Sequence, residues 1–173
     1  MPIIQPTSSL AVERLRLADM LAACPQLLGR FEATDARSAF VDWQEPMKRG
    51  KIHLAALTTD DHEGLRPYAI IIRPGEQLYG KVAAGDRNYL QRRGTLWVYL
   101  TDNSRYANPE DDLIDFENFA GGVIDDLKEI AGRGGCLPVH HIGFQVPPER
   151  TRPELDAQDL KPFWDCVIEL IWE

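Results

Sequence analysis

The chain has 173 residues, of which 44% are hydrophobic and 27% charged, and its formal net charge at pH 7 is −8. This length and composition are typical of one globular domain, which we expect to span residues 1–173 with a flexible start at residues 1–8. The acidic balance disfavours direct nucleic-acid binding. No apolar run is long enough to cross a membrane, and the first residues lack the pattern of a signal peptide.

The first predicted element is an amphipathic helix near the start of the chain. Ser8 and Ser9 are suitable N-cap residues, and apolar residues recur at helical spacing from Leu10 onward. Pro25 is expected to end or kink this helix, because its ring clashes with the preceding turn.

Short apolar runs predict strands in the middle of the chain, after a stretch at residues 31–50 that shows no regular period and is predicted as a loop. The segments KIHLAALT (51–58) and RPYAIIIRP (66–74) flank an acidic, glycine-containing turn and predict a β-hairpin. The segment GTLWVYLTD (94–102) is apolar on both faces, as expected of a central strand.

A second, longer helix is predicted to begin after Asn108. Asn108 is a good cap, Pro109 suits the first helical turn, and the acids that follow complement the helix dipole. Gly132 is a natural stop. One side of this helix carries the apolar residues, and the other side is acidic.

Two further strands are predicted, HIGFQV (141–146) and a segment beginning at Trp164. From Trp164 to Trp172 every second residue is apolar, which indicates a strand with one face in the core. The other face mixes charge with apolar groups, and we interpret it as the open side of the sheet, facing water or a neighbouring subunit. Its residues are Asp165, Val167, Glu169, Ile171 and Glu173.

The order of these elements predicts an α+β fold. We expect a single-layer, mostly antiparallel β-sheet of about four to five strands. The N-terminal helix and the second long helix are predicted to pack on one face of that sheet.

The segment Gly75–Lys81 (GEQLYGK) has the spacing of a phosphate-binding loop. A phosphate-binding loop has Ser or Thr after its lysine, whose hydroxyl binds Mg²⁺, but this chain has Val82 there. The negative charge of Glu76 would also repel phosphate. A loop between strands is the favoured interpretation, and a nucleotide-binding enzyme that uses Gly75–Lys81 is an alternative.

The cysteines and histidines do not predict a reactive site. Cys24 and Cys166 lie on apolar faces and are expected to be core thiols, and the absence of a CxxC spacing favours a reducing compartment. Cys136 precedes the pair His140–His141, whose side chains should point to opposite faces of a strand and so not share one ion. We therefore predict no catalytic residue, no metal and no cofactor.

Complementary charges suggest an interface between copies of the chain. A basic loop of one subunit could meet the acidic helix of the next, which is a head-to-tail contact; a solvated turn is the alternative interpretation of the loop. The candidate interface residues are the basic Arg87, Arg92 and Arg93, the acidic Asp111, Asp115, Asp125 and Glu129, and the apolar Phe163, Val167 and Ile171.

The strand GTLWVYL followed by the helical segment DFENFAGGVIDDL, with a strand pair after it, resembles the tail terminator and tail-completion (head-to-tail joining) proteins of long-tailed bacteriophages. The resemblance covers about residues 10–173 and rests on element order. It implies a non-enzymatic structural protein, of a phage or prophage, that forms a ring, usually a hexamer. That ring would cap the tail tube and meet the head connector.

The partners implied by the resemblance are further copies of the chain, the tail tube protein and the head connector or neck proteins. The implied location is the host bacterial cytoplasm during assembly and then the head–tail junction of the virion. The residues alone leave a second interpretation open, a cytoplasmic α+β binding module of unknown ligand.

Overall fold

The computed structural model describes residues 5, 7–32, 51–54, 66–74, 77–78, 81–82, 94–133, 137–151 and 162–172. The helices within this part are α1 (Ser9–Ala22), α2 (Pro25–Arg30) and α3 (Pro109–Gly132). The strands are β1 (Ile52–His53), β2 (Tyr68–Ile72), β3 (Gln77–Leu78), β4 (Lys81–Val82), β5 (Thr95–Asn103), β6 (Val139–Thr151) and β7 (Phe163–Trp172). Residues 33–50 of the predicted loop lie outside the described residues.

Five of the described strands form one sheet in the order β1-β2-β5-β7-β6. All neighbours in it are antiparallel except β1 and β2. The predicted α+β class is confirmed, with an N-terminal helix and a long helix. Of the described helices, none has the length and apolar content needed to cross a membrane.

Capping places both predicted helices where the sequence indicates. The Ser8 hydroxyl accepts a hydrogen bond from the N–H of Ala11, and the Asn108 side chain accepts one from the N–H of Glu110 at 2.9 Å. The first helix ends at Ala22, and Pro25 begins the short helix α2. Proline suits the first turn of a helix because the N–H that it lacks has no helical acceptor there.

The predicted hairpin of residues 51–58 and 66–74 is wrong, because β1 runs parallel to β2. The N–H of Ala69 donates to the carbonyl of Lys51 at 2.8 Å, and Ile52 lies opposite Ala69. From helix α1, the Arg14 guanidinium donates to the carbonyls of Leu54 and Ile71 at 2.6 and 3.0 Å. An apolar run shows that a strand is buried but carries no information about its direction.

The segment Gly75–Lys81 contributes to a separate antiparallel pair, β3 with β4. Lys81 begins strand β4, whereas the lysine of a phosphate-binding loop stands at the start of a helix. The backbone at Lys81 is therefore extended rather than helical.

Strand β6 extends beyond the predicted residues 141–146 and runs through Pro147 and Pro148. Proline is tolerated because β6 is at the edge of the sheet that the described strands form, where a missing N–H need not break the ladder. Its pairing with β7 shifts register three times, which is the signature of β-bulges.

Each face of the sheet carries a buried cluster. The first face meets the helices, and β7 supplies to it the alternating residues predicted for the core: Trp164, Cys166, Ile168, Leu170 and Trp172. The second face carries a smaller buried cluster, namely Tyr68, Ile70, Ile72, Trp97 and Tyr99, with Val167 packed against it.

Candidate functional site

The predicted open side of β7 is wrong at its charged positions, because Asp165 and Glu169 are 1% and 7% exposed. The indole N–H of Trp97 donates to Glu169 Oε2 at 2.9 Å, and the hydroxyl of Tyr99 donates to Asp165 Oδ2 at 3.0 Å. Burial of a carboxylate is tolerated when polar groups bind it. Burial, followed by the charge of Asp165, raises the pKa of Tyr99, so this hydroxyl stays a donor.

The sequence contains an indication of this arrangement, because Trp97 and Tyr99 are aromatic residues that each carry a hydrogen-bond donor. Trp97 and Tyr99 alternate on one face of β5, and the acids alternate on the same face of β7. The pairs are separated by 72 and 66 positions in the chain, so only the register of β5 against β7 brings them together.

The predicted apolar interface residues of β7 are each half-buried. Val167 packs against the second-face cluster, and the guanidinium of Arg66 lies over the Phe163 ring at 3.7 Å. Ile171 lies opposite Thr95 of β5 and His141 of β6. Val167 and Phe163 already make side-chain contacts within the chain and Ile171 is partly covered, so the three offer less surface to a partner than predicted.

Two apolar residues on β6 are exposed, and sequence reasoning missed them. Phe144 is 41% exposed and Val146 is 37% exposed. Phe144 lies opposite Ile168 and Val146 opposite Val167, and a register shift separates them. Because Ile168 belongs to the first face and Val167 to the second, the edge strand exposes an apolar side chain on each face.

The predicted acidic face of α3 is narrower than expected. Asp111, Asp125 and Glu129 are exposed, and Glu129 pairs with Arg133 one turn later. Asp115 instead forms an ion pair with Arg30 of α2. The predicted basic partners Arg87, Arg92 and Arg93 lie outside the described residues.

A charged cluster joins α2, β5 and α3. Arg30 donates through Nη1 and Nη2 to the two carboxylate oxygens of Asp115 at 3.0 and 2.6 Å, and through Nε to Asp102 Oδ2 at 2.6 Å. Its guanidinium also lies over the Phe119 ring, 4.8 Å from the centroid. Burial acts to lower the pKa of Arg30, but hydrogen bonds to Asp115 and Asp102 outweigh it and raise that pKa. The guanidinium therefore acts as a permanent charged link between the three elements.

Asp112 organises the turn that leads into α3. Its buried carboxylate accepts from Ser104 Oγ at 2.6 Å, from Trp164 Nε1 at 2.8 Å, and from the N–H groups of Arg105 and Tyr106. Burial acts to raise the pKa of Asp112, but these hydrogen bonds outweigh it and lower that pKa. A carboxylate with so many donors is suited to holding a loop rather than to exchanging protons.

A cleft of about 410 Å³ opens beside the charged cluster, between α2 and the first turns of α3. Its walls include Pro25, Gln26 and Gly29 from α2 and Asn118 and Phe119 from α3. Arg105 stands at one side of it, with Nε bound to Asp102 Oδ2 at 3.0 Å. Arg30 and the carboxylate of Asp115 complete the lining, so the cleft is bounded mainly by polar and charged groups.

The predicted core thiols Cys24 and Cys166 are buried and unbonded to other cysteines. Burial raises the pKa of Cys24 to about 12 and raises that of Cys166 as well, which suppresses the thiolate form. His140 and His141 are exposed, and Cys136 lies outside the described residues. Within the described part of the chain, no three His, Cys, Asp or Glu side chains form a group that could hold a metal ion.

No protein-family model matches the chain, and no curated protein matches its sequence.

Proposed function

We propose that the chain is a structural subunit of a phage or prophage tail, of the tail terminator or tail-completion type. In this role copies of it form a ring, with a hexamer expected, that caps the tail tube and joins it to the head connector. The observation that carries the proposal is the layout of the sheet. The strand GTLWVYL (β5) pairs with the last two strands of the chain in the order β5-β7-β6. The acidic helix α3, which follows β5 in the chain, packs against one face of these strands.

The edge strand β6 supports self-association. Its outer edge has no paired strand among the described residues, and it exposes Phe144 and Val146 on opposite faces. An open edge with apolar side chains is a surface that proteins usually cover. A neighbouring subunit that encloses the edge would bury both side chains, and a closed ring would do so for every copy.

The charges of α3 support a directional contact. Asp111 and Asp125 make its exposed side negatively charged, whereas Arg30 balances the charge of Asp115 and Arg133 pairs with Glu129. In the proposed ring this side meets the basic residues Arg87, Arg92 and Arg93 of the neighbouring subunit. Contacts between exposed charges weaken as salt increases, because the Debye length shortens.

An α+β binding module is the second candidate function, and the cleft between α2 and α3 is the observation that favours it. The two functions differ in what the free protein does. A tail terminator is expected to assemble with itself and to bind tube ends, whereas a binding module needs neither.

The test is the assembly state of the purified full chain. Light scattering after size-exclusion chromatography should give a mass of several subunits at low salt and a smaller mass at high salt. Negative-stain images should show rings, and the protein should stop the growth of tail tubes assembled from the matching tube protein. A chain that stays monomeric at millimolar concentration and low salt, and that leaves tube growth unchanged, would contradict the proposal.

A further inference from the structure

Exposed apolar side chains are concentrated at the start of α3. Of the six large apolar side chains that are exposed in the described residues, three belong to the α3 entry surface, namely Tyr106, Leu113 and Ile114. Leu113 and Ile114 lie in the second turn of the helix, and Tyr106 lies two residues before its cap. Single exposed apolar residues are ordinary, whereas several close together in the chain are typical of a contact surface.

The backbone that carries this surface is fixed within the chain. The N–H of Tyr106 donates to the buried carboxylate of Asp112 at 3.1 Å. The same carboxylate accepts from Trp164 Nε1 of β7 at 2.8 Å, which ties the turn before α3 to the sheet. A surface that is ordered before binding loses little conformational entropy when a partner binds.

Three exposed acids flank the α3 entry surface, namely Glu110, Asp111 and Glu117. Asp111 and Glu117 lie three residues before and three residues after Ile114, a spacing that places side chains on the same side of a helix. Among the described residues, none of these three acids has an ion-pair partner. The helix dipole favours acids in the first turn but not Glu117, which lies in the third.

We propose that the α3 entry surface binds residues 86–94 of a second copy of the chain. The sequence of this segment, DRNYLQRRG, places the apolar Tyr89 and Leu90 between basic residues. Such a segment complements a surface with apolar side chains and flanking acids, because apolar groups pack at the centre of an interface and charges pair at its rim. The proposal rests on the proposed self-association and adds apolar side chains to a contact between charges.

The exposure of the surface favours a second copy over contact within one chain. Ile114 is 55% exposed and Tyr106 50% exposed in the folded chain, so the chain's own residues leave them largely uncovered. Exposed ion pairs contribute little free energy by themselves and weaken in salt. Burial of the apolar side chains therefore supplies most of the affinity, and the charges set the orientation of the segment.

The chain offers a matched pair of variants. Ile114→Gln removes an apolar side chain from the α3 entry surface, and Leu10→Gln makes the same kind of change at an exposed position of α1. Glu117→Gln removes one of the flanking charges. All three positions are exposed, so circular dichroism should show an unchanged fold for each variant.

The experiment measures binding of a fluorescently labelled peptide of residues 86–94 to the full chain by fluorescence anisotropy at neutral pH. We expect saturable binding to the wild type and about tenfold weaker binding to Ile114→Gln, since an apolar side chain is no longer buried. Glu117→Gln should bind about two- to threefold more weakly and with a smaller dependence on salt. Leu10→Gln should bind like the wild type.

Equal binding of the peptide to wild type and Ile114→Gln would overturn the proposal. So would equal binding of a rearranged peptide of the same composition whose three arginines are adjacent, because the surface would then respond to charge alone. A chain that assembles but does not bind the peptide contradicts this proposal and leaves the ring unaffected. A chain that stays monomeric at millimolar concentration contradicts both.

Discussion

At the residue scale, Asp112 shows how one buried carboxylate can hold a loop, a helix and a strand together. It accepts hydrogen bonds from Ser104, from Trp164 and from two backbone N–H groups. Together these bonds lower its pKa below that of an ordinary aspartate, although burial opposes them. A carboxyl whose pKa is lower in the folded than in the unfolded chain stabilises the fold above its unfolded pKa and loses that effect as pH falls through the folded pKa.

We expect Asp112→Asn to lower the free energy of unfolding by about 2–4 kcal/mol at pH 7, because buried donors lose a charged acceptor. The difference from the wild type should shrink as the pH falls below about 4, where the unfolded wild-type carboxyl becomes protonated. Denaturant titrations at several pH values measure both effects.

The control for this prediction is Asp111→Asn, at the exposed neighbouring position. We expect its free energy of unfolding to stay within about 0.5 kcal/mol of the wild type. An Asp112→Asn deficit that keeps the same size from pH 7 to pH 3 would show that the hydrogen-bonded charge is not its cause.

At the element scale, the entry into β5 depends on a close approach of two backbones. Gly94 has φ +73, and its carbonyl accepts a hydrogen bond from the N–H of Trp172 at 2.8 Å. A Cβ at this position would stand 2.2 Å from the carbonyl oxygen of Trp172. Both the positive φ and the short distance favour glycine. The residue therefore sets where the long β5–β7 ladder begins.

We expect Gly94→Ala to lower the free energy of unfolding by about 2–4 kcal/mol, from the strained φ and from the displaced end of β7. Chemical denaturation measures the change. In the control Gly121→Ala, helix propensity should raise stability by about 0.5–1 kcal/mol, because the added Cβ meets no neighbour. Equal stability of the two variants would show that the contact at Gly94 is relaxed in solution.

At the scale of the whole molecule, both faces of the sheet carry buried clusters. The expected interface therefore shifts from the open face of β7 to the edge strand β6. The sequence favours Val167 and Ile171 as interface residues, and the double variant Val167→Glu with Ile171→Lys would place charges at both positions. Val167 packs against the second-face cluster, so that variant is now expected to weaken the fold as well as any assembly. Phe144 and Val146 on β6 are the better positions, because they are exposed.

We expect Val146→Glu to change the free energy of unfolding by no more than about 1 kcal/mol, because the side chain is exposed. The same variant should reduce the assembled fraction strongly, since a charge at the centre of an interface is costly to bury. Light scattering and circular dichroism together separate the two effects. The matched control is Leu10→Glu, at an exposed apolar position of α1. If both variants assemble like the wild type, β6 is not the interface.

Local patterns are enough to predict the two helices capped by Ser8 and Asn108 and the core face of the last strand. The side chains of Ser8 and Asn108 accept hydrogen bonds from N–H groups only two or three residues away, so these caps can be predicted from the neighbouring sequence. The alternation from Trp164 to Trp172 likewise reports one buried face. The α+β class follows from the order of such elements.

The remaining features depend on partners far away in the chain. The parallel direction of β1, the burial of Asp165 against Tyr99 and the capture of Asp115 by Arg30 are contacts across the fold. The register of β5 against β7 and the docking of α2 beside α3 decide them. The sequence by itself therefore determined the two capped helices and which face of β7 enters the core, because short-range hydrogen bonds and side-chain periodicity control those features. Only the tertiary structure decided which charges are exposed, because burial and pairing depend on the residues that folding brings alongside.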